Sequence, residues 1–368
     1  MLGKPDSAVK RVLVYRLGSL GDTLIALPCL HLIERAYPHA EKRLLTNLPV
    51  DQRAAPAAAV LGGSGLIDGY ESYPVGVRNP ATLWRLRTRI KAWRPDVLVY
   101  LMPARGRLAA WRDTLFFRLC GIRKIVGVPY SAQMQTHLQT AGDDMWEPEA
   151  ARLARCVAEL GDALLDDPAS WDLRITPAER EAAQLALQPA EGKPMIAVSL
   201  GTKVQAKDWG PENWQALLGR MAALYPGYAL VLIGAPSEAS QSAAAGQVWS
   251  LSSSAAGPVL NLCAALTPRQ SAAVLAHCRM LVGHDSGPMH LAASVQTPCI
   301  AIFAARTRPG IWFPYGRQHH ILYHHVDCSN CHLDICVEKG KKCLTSITVD
   351  EVLEQVQRVV APPLQVLT

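Results

Sequence analysis

Residues 11–37 read RVLVYRLGSLGDTLIALPCLHLIERAY. Arg11–Leu17 is a short apolar, β-rich run, and Gly18–Gly21 is a glycine-containing turn. From Asp22 the apolar positions recur at helical spacing until Tyr37, just before Pro38. This is one β-turn-α unit. Related units follow. Asp96–Met102 (DVLVYLM) reads as a second buried strand behind a basic helix, and Lys124–Val128 as a third. Acid- and Ala-rich helical sequence covers about 147–190, and Leu187–Pro194, with two prolines and a glycine, reads as a linker. The pattern then restarts. Strands are expected at Met195–Leu200, Ala229–Gly234, Met280–Val282 and Cys299–Ala304, and helices at Pro211–Tyr225, Ser237–Leu251, His290–Val295 and Val349–Val360. Alternating helices and buried apolar strands imply an α/β chain with a doubly wound parallel sheet in each half. The expected division is 1–188 and 189–346, with 347–368 a C-terminal helix packing back on the first domain.

Composition fits this reading. The 368 residues are 49% hydrophobic and 18% charged, as in a globular chain long enough for more than one core. The net charge of +6 is too mild for a protein that coats nucleic acid. No apolar run approaches the ~18–20 residues of a membrane-spanning helix. Val12–Tyr15 is too short for a signal peptide, so the expected location is the cytoplasm. The total hides an asymmetry: Arg78–Lys124 holds 12 Lys/Arg and 2 Asp/Glu, whereas Asp143–Glu181 holds 4 and 11. Such blocks are either solvated helix faces or, for the basic one, a surface for an anionic partner.

In open parallel sheets, ligands sit beyond the carboxyl ends of the strands. Three loops hold that position. In Gly18-Ser-Leu-Gly-Asp22, the glycines permit a tight turn, and Asp22 is either a helix cap or a general base for a hydroxyl. The spacing is neither that of a P-loop nor of a standard dinucleotide fingerprint. Ser199–Trp209 carries Thr202, Lys203 and Lys207, which suit a diphosphate or are simply solvated. In Gly283–Ala293, Asp285 and Ser286 are placed to cap the following helix, Gly287 allows close approach, and Pro288 suits the first turn. His290 is a ligand contact or a core histidine.

At this third loop the chain resembles a known family. Val282–Ala293 (VGHDSGPMHLAA) is similar to the donor-binding motif of glycosyltransferase family 9, the ADP-heptose:lipopolysaccharide heptosyltransferases. Arg11–Pro28 resembles its N-terminal motif, Gly201–Trp209 with Pro211-Glu-Asn-Trp its donor-phosphate loop, and Pro298–Pro314 its next strand and loop. The cysteine run 328–343 and Ile347–Val352 resemble the tail of many members. The resemblance implies the GT-B architecture, two Rossmann-like domains facing a central cleft, and inverting transfer from a nucleotide sugar without a cofactor. It implies Asp22 as catalytic base. It implies donor contacts at Thr202, Lys203, Lys207, Glu238, Asp285, Ser286, Gly287, Pro288 and His290. From charge alone, Arg105, Arg107 and Arg112 are expected to meet an anionic, lipid-linked glycan acceptor. Peripheral contact with the cytoplasmic face of the inner membrane is expected, and nucleic acid is not. Ala304-Ala305-Arg306 and the Lys203–Ala206 stretch depart from the family pattern, so another nucleotide sugar or a protein acceptor is the alternative.

Cys328, Cys331, Cys336 and Cys343 are spaced C-x2-C-x4-C-x6-C. They are candidate ligands for structural zinc or iron, or packed thiols, or disulfides. A non-catalytic metal or redox module on a degenerate transferase fold is the rival from a different class. The other six cysteines lie among apolar residues and are expected to be buried thiols.

Overall fold

The computed structural model describes residues 6–48, 55–74, 76, 79–140 and 144–360. Arg78 of the basic block and residues 361–368 of the expected C-terminal segment lie outside them. The chain forms two compact units, Met1–Arg174 and Ile175–Thr368.

The first unit is built on five parallel strands: β1 (Arg11–Tyr15), β2 (Glu41–Asn47), β3 (Gly69–Tyr73), β4 (Val97–Tyr100) and β5 (Lys124–Val126), in the order β3-β2-β1-β4-β5. The second has six: β6 (Met195–Ser199), β7 (Ala229–Leu232), β8 (Val259–Asn261), β9 (Met280–His284), β10 (Cys299–Phe303) and β11 (His320–Tyr323), in the order β11-β10-β9-β6-β7-β8. The central strands VLVY, MIAVS and CIAIF are almost wholly buried, because helices cover both faces of a parallel sheet. The expected helix Asp22–Tyr37 is two: Leu20–Ile25 and Leu27–Ala36. Pro28 has no N–H to continue the first ladder, so the chain restarts with proline in the second helix's opening turn.

The expected boundary at 188/189 falls instead at 174/175. Two charge pairs account for this. Arg174 Nη1 donates to Glu34 Oε1 at 2.8 Å in the first unit. Five residues on, Glu179 receives Arg269 through Nε at 2.5 Å and Nη2 at 2.9 Å in the second. The helix Pro177–Leu187 packs on Pro268–Leu275, so the expected linker lies inside the second unit. The C-terminal helix Val349–Val360 buries Val352, Leu353 and Val356 in that unit's own core with Trp214 and Leu218. Cys29, Cys120, Cys156, Cys263, Cys278 and Cys299 are buried free thiols, as expected. Among the described residues no helix is long and apolar enough to cross a membrane.

Two histidines, His284 buried and His319 half-buried, stitch the second sheet. His284 Nε2 accepts the Trp209 N–H at 3.0 Å. His319 Nδ1 accepts the Cys299 N–H at 3.1 Å, and its Nε2–H donates to the Tyr315 carbonyl at 2.6 Å. Burial pulls both imidazoles down from 6.5 to about 4. Below pH 6.5 the unfolded chain therefore binds protons that the folded unit refuses. The second unit should lose stability as pH falls from 6.5 to 4, by up to ~2.7 kcal/mol per pH unit for two such groups, and should not change through this pair above 6.5. Urea unfolding across that range tests this; a flat profile would contradict it.

Candidate functional site

Each sheet grows outward from its first strand in both directions. The connections of β1 and β4, and of β6 and β9, diverge there and leave a crevice at the strands' carboxyl ends. The candidate residues gather at these two switch points.

In the first unit, Gly18 has φ +146°, and a Cβ there would collide with the Asp22 side chain. Glycine thus lets the loop close on Asp22. Asp22 Oδ2 accepts the Ser19 N–H at 2.7 Å and the Ser19 hydroxyl at 2.9 Å. The carboxylate therefore does cap its helix, through one oxygen. Oδ1 has Arg16 Nη2 at 3.9 Å, and the side chain keeps 27% of its surface. One oxygen is committed to the fold, and the other is approached by the Arg16 guanidinium on a side chain that stays partly exposed.

Sequence reasoning passed over Arg16, which sits 3% exposed at the end of β1. Its Nε and Nη2 donate to the Asp22 carbonyl at 3.2 and 2.6 Å, and Nη1 to the Leu101 carbonyl beyond β4 at 2.8 Å. Behind it lies Glu149, gripped by Arg152 through two bonds of 2.7 Å and by His137 Nε2 at 2.9 Å. Burial alone would raise the Glu149 carboxyl. Hydrogen bonds from Arg152 and His137, with the Arg152 and Arg16 charges, outweigh that and hold it at about 2. The signal available in the sequence was an arginine directly after four apolar residues of a central strand.

Arg105 and Arg112 both hold Asp113. Arg112 Nη2 donates to Oδ1 at 2.8 Å, Arg105 pairs with Oδ2, and the Tyr100 hydroxyl donates to Oδ2 at 2.9 Å. Two guanidinium groups on one buried carboxylate leave a net positive charge beyond β4. Arg107 is exposed at the start of its helix, and has no ion-pair partner among the described residues.

In the second unit, Lys207 Nζ meets Asp285 Oδ2 at 2.6 Å and donates to the Asp285 carbonyl at 3.3 Å. This pair joins the loops after β6 and β9. Asp285 is thus held by Lys207 rather than capping the next helix as expected. Ser286 occupies the N-cap position but makes no cap bond, and its buried Oγ has no partner among the described residues. Gly287 and Pro288 open the helix Gly287–Ser294, with Pro288 in the first turn as expected, and His290 is buried within it. Thr202 Oγ1 takes the Val204 N–H at 3.3 Å, shaping the lysine loop. Lys203 is on its exposed side. Glu238 folds back, accepting the Ala235 N–H at 2.8 Å, and its carboxylate fills the space that a side chain at Gly201 would need. So Thr202, Lys207, Glu238, Asp285 and Ser286 do converge at the ends of β6, β7 and β9.

The cysteine run has a different place. Among the described residues no group of three or more His, Cys, Asp or Glu is arranged to hold a metal ion, so the metal reading of the four thiols gains no support from their geometry. All four are free, with Cys331 exposed. Burial, and then the nearby Cys328 and Cys336 thiols, push the Cys343 thiol up. The segment instead straps two loops of the site. Asn330 and His332 N–H donate to the Ala305 and Arg306 carbonyls at 2.7 and 2.9 Å, and Arg306 holds Asp334 at 2.6 Å. Across the other loop, Cys336 N–H reaches Gln205 Oε1 at 2.8 Å and Lys341 Nζ the Asp208 carbonyl at 2.7 Å. The departures at 203–206 and 304–306 are therefore structurally one feature.

The family model described as glycosyltransferase family 9 (heptosyltransferase) matches residues 108–342. A lipooligosaccharide heptosyltransferase 2 of Campylobacter jejuni is 29% identical over 105 residues, 28% of this chain and 33% of that protein. The chain spans about a third of the length of the curated relatives it matches. A family 9 glycosyl transferase from Veillonella parvula superimposes with a TM-score of 0.70 at 20% identity, covering 95% of this chain and 97% of that one. An ADP-heptose lps heptosyltransferase II from E. coli does so at 0.65 and 17%, covering 95% and 98%. These structures share the GT-B fold of this chain. The chain belongs to glycosyltransferase family 9.

The Lys207–Asp285 pair has unequal partners, the lysine 18% and the aspartate 7% exposed. Lys207→Met strands a buried carboxylate and should cost ~3 kcal/mol. Asp285→Asn leaves a lysine that still reaches water, and should cost less. Urea unfolding of the two variants checks the order; a reversed order would show that Asp285 is not held by this pair. In the first unit, Gly18→Ala should cost ~1–3 kcal/mol through its positive φ and the clash with Asp22.

Proposed function

We propose that this chain transfers heptose, with inversion, from ADP-heptose to the phosphorylated core of a lipid-linked, lipopolysaccharide-type acceptor. In this reading Asp22 takes the proton from the acceptor hydroxyl through Oδ1. The hydroxyl oxygen forms its bond to the anomeric carbon as the bond to the diphosphate breaks on the opposite face. The electron pair leaves with ADP. Lys207, the Ser286 hydroxyl and the N-terminal N–H groups of the Gly287–Ser294 helix meet the developing negative charge. Thr202 and Lys203 lie in the same loop and Glu238 beside it, toward the nucleoside. Asp285, Gly287, Pro288 and His290 form the wall for the diphosphate and sugar. Arg105, Arg107 and Arg112 meet acceptor phosphates, with Asp113 fixing two of the three. No cofactor takes part in the step. The reaction runs on the cytoplasmic side of the inner membrane, where a lipid-linked acceptor and a soluble nucleotide sugar both have access.

The observation that carries this reading is the Lys207–Asp285 junction, next to an orphaned buried Ser286 hydroxyl at a helix start. A buried polar atom without a partner is costly unless a ligand completes it. Family membership supplies the reaction class.

The test is ADP release from ADP-heptose, with and without heptose-deficient lipopolysaccharide, for wild type and Asp22→Asn. Asparagine keeps an oxygen for the Ser19 cap and loses the base. Release should depend on acceptor, and the variant should lose ~100-fold or more in kcat with ADP affinity unchanged. No release by folded wild type would reject this donor and acceptor and point to another nucleotide sugar or a protein acceptor.

A further inference from the structure

The helix Arg107–Leu119 is apolar on the wrong side. Ala110, Thr114 and Phe117 face the core. At 100° per residue the opposite side carries Leu108, Trp111, Leu115 and Leu119. Leu108 is 87% exposed and the other three are each more than half exposed. A surface helix ordinarily turns polar residues outward. Here Arg112 borders the outer stripe on one flank, and Arg107 and Arg118 on the other. The stripe continues onto the neighbouring helix Pro80–Trp93. Arg87 Nε donates to the Leu119 carbonyl at 2.9 Å, and its guanidinium lies 5.0 Å over the ring of Trp84, itself 64% exposed.

We propose that the outer faces of these two helices are a docking surface for an anionic phospholipid bilayer. The tryptophans and leucines would enter the headgroup–acyl boundary, and Arg87 and Arg118 would reach lipid phosphates while their stems cover apolar surface. Charge selects this occupant. The segment 78–124 holds 12 basic and 2 acidic residues, and the acidic ones are already engaged: Asp113 by two arginines and Asp96 by the Lys10 and Arg11 backbone N–H groups. A symmetric contact between two copies would set one basic face against another, whereas headgroup phosphates attract it. The inference goes beyond the transfer reading and stands on the surface alone.

The experiment is co-sedimentation of the full chain with vesicles of phosphatidylcholine alone or mixed with phosphatidylglycerol. Binding should require the anionic lipid and weaken in high salt. Leu108→Glu with Leu115→Glu, two exposed positions, should lower partitioning about tenfold or more. Tryptophan emission of the wild type should be quenched by bromine-labelled acyl chains, which tests insertion without any variant. Failure to bind anionic vesicles, absence of quenching, or a folded double variant that binds like wild type would overturn the proposal. So would sedimentation velocity showing that the stripe joins two copies and that the double variant separates them. Transfer to a deacylated, water-soluble acceptor should be equal in wild type and double variant. A chain that binds vesicles but transfers no heptose keeps this surface and loses the transfer reading; the converse result does the opposite.

Discussion

A parallel sheet that grows in both directions from its first strand must leave a crevice where neighbouring connections part to opposite faces. The rest of both units depends on how that opening is closed. Hydrophobic side chains cannot close it, because the strands end there in free carbonyls and the next helices begin there in free N–H groups. The chain uses charge. Arg16 spends three of its N–H groups on the Asp22 and Leu101 carbonyls, bridging the ends of β1 and β4. Lys207 and Asp285 bridge the ends of β6 and β9. The same physics that makes a switch point hard to fill makes it suited to a polar ligand.

Legibility in the sequence follows from this. β1, β4, β6, β7, β9 and β10 could be read because strands covered on both faces need continuous apolar runs. Of the four edge strands, β5 was expected at Lys124–Val128, whereas β3, β8 and β11 could not be read. Gly69–Tyr73 is half-buried throughout, and its GYESY carries no alternation. β2 was hidden by its polar start, where the buried Lys42 ammonium finds the Ala40 carbonyl at 3.0 Å and Asp68 at 3.8 Å. The site's loops were legible because glycine, proline and charged residues cluster at predicted strand ends. Their pairing was not: Asp285 as a helix cap and Asp285 as the partner of Lys207 look alike until residues 78 positions apart are brought together. The domain boundary failed for the same reason. Pro189, Gly192 and Pro194 suggest a linker locally, but the Glu179–Arg269 pair ties the preceding helix to the second unit.

The C-x2-C spacing of the cysteine segment does not by itself choose between a metal site and packed thiols. A C-x2-C pair is a ligand pattern only if the chain turns both thiols inward. Here backbone and arginine hydrogen bonds to the loops after β6 and β10 dictate the segment's path, and the thiols follow it. Its contribution is mechanical. It braces Gln205–Asp208 from outside while Lys207 is held from inside by Asp285.

That bracing bears on the electrostatics of the proposed reaction. A lysine paired at 2.6 Å to a carboxylate is nearly neutral as seen from afar, so it draws a diphosphate only weakly over distance. Its value is local. The pair fixes Nζ in place before any ligand arrives, so no reorganisation is needed when charge develops on the leaving group. The helix N-terminus adds N–H groups that are not matched by a counter-charge. A site built this way distinguishes a leaving diphosphate from a resting one better than an unpaired lysine would. An unpaired lysine would stabilise both states, and uniform binding does not accelerate a reaction. In the proposed reaction the strap, the Lys207–Asp285 pair and the orphaned Ser286 hydroxyl would act as one device, tying down the Gln205–Asp208 loop and leaving the developing charge as what it lacks.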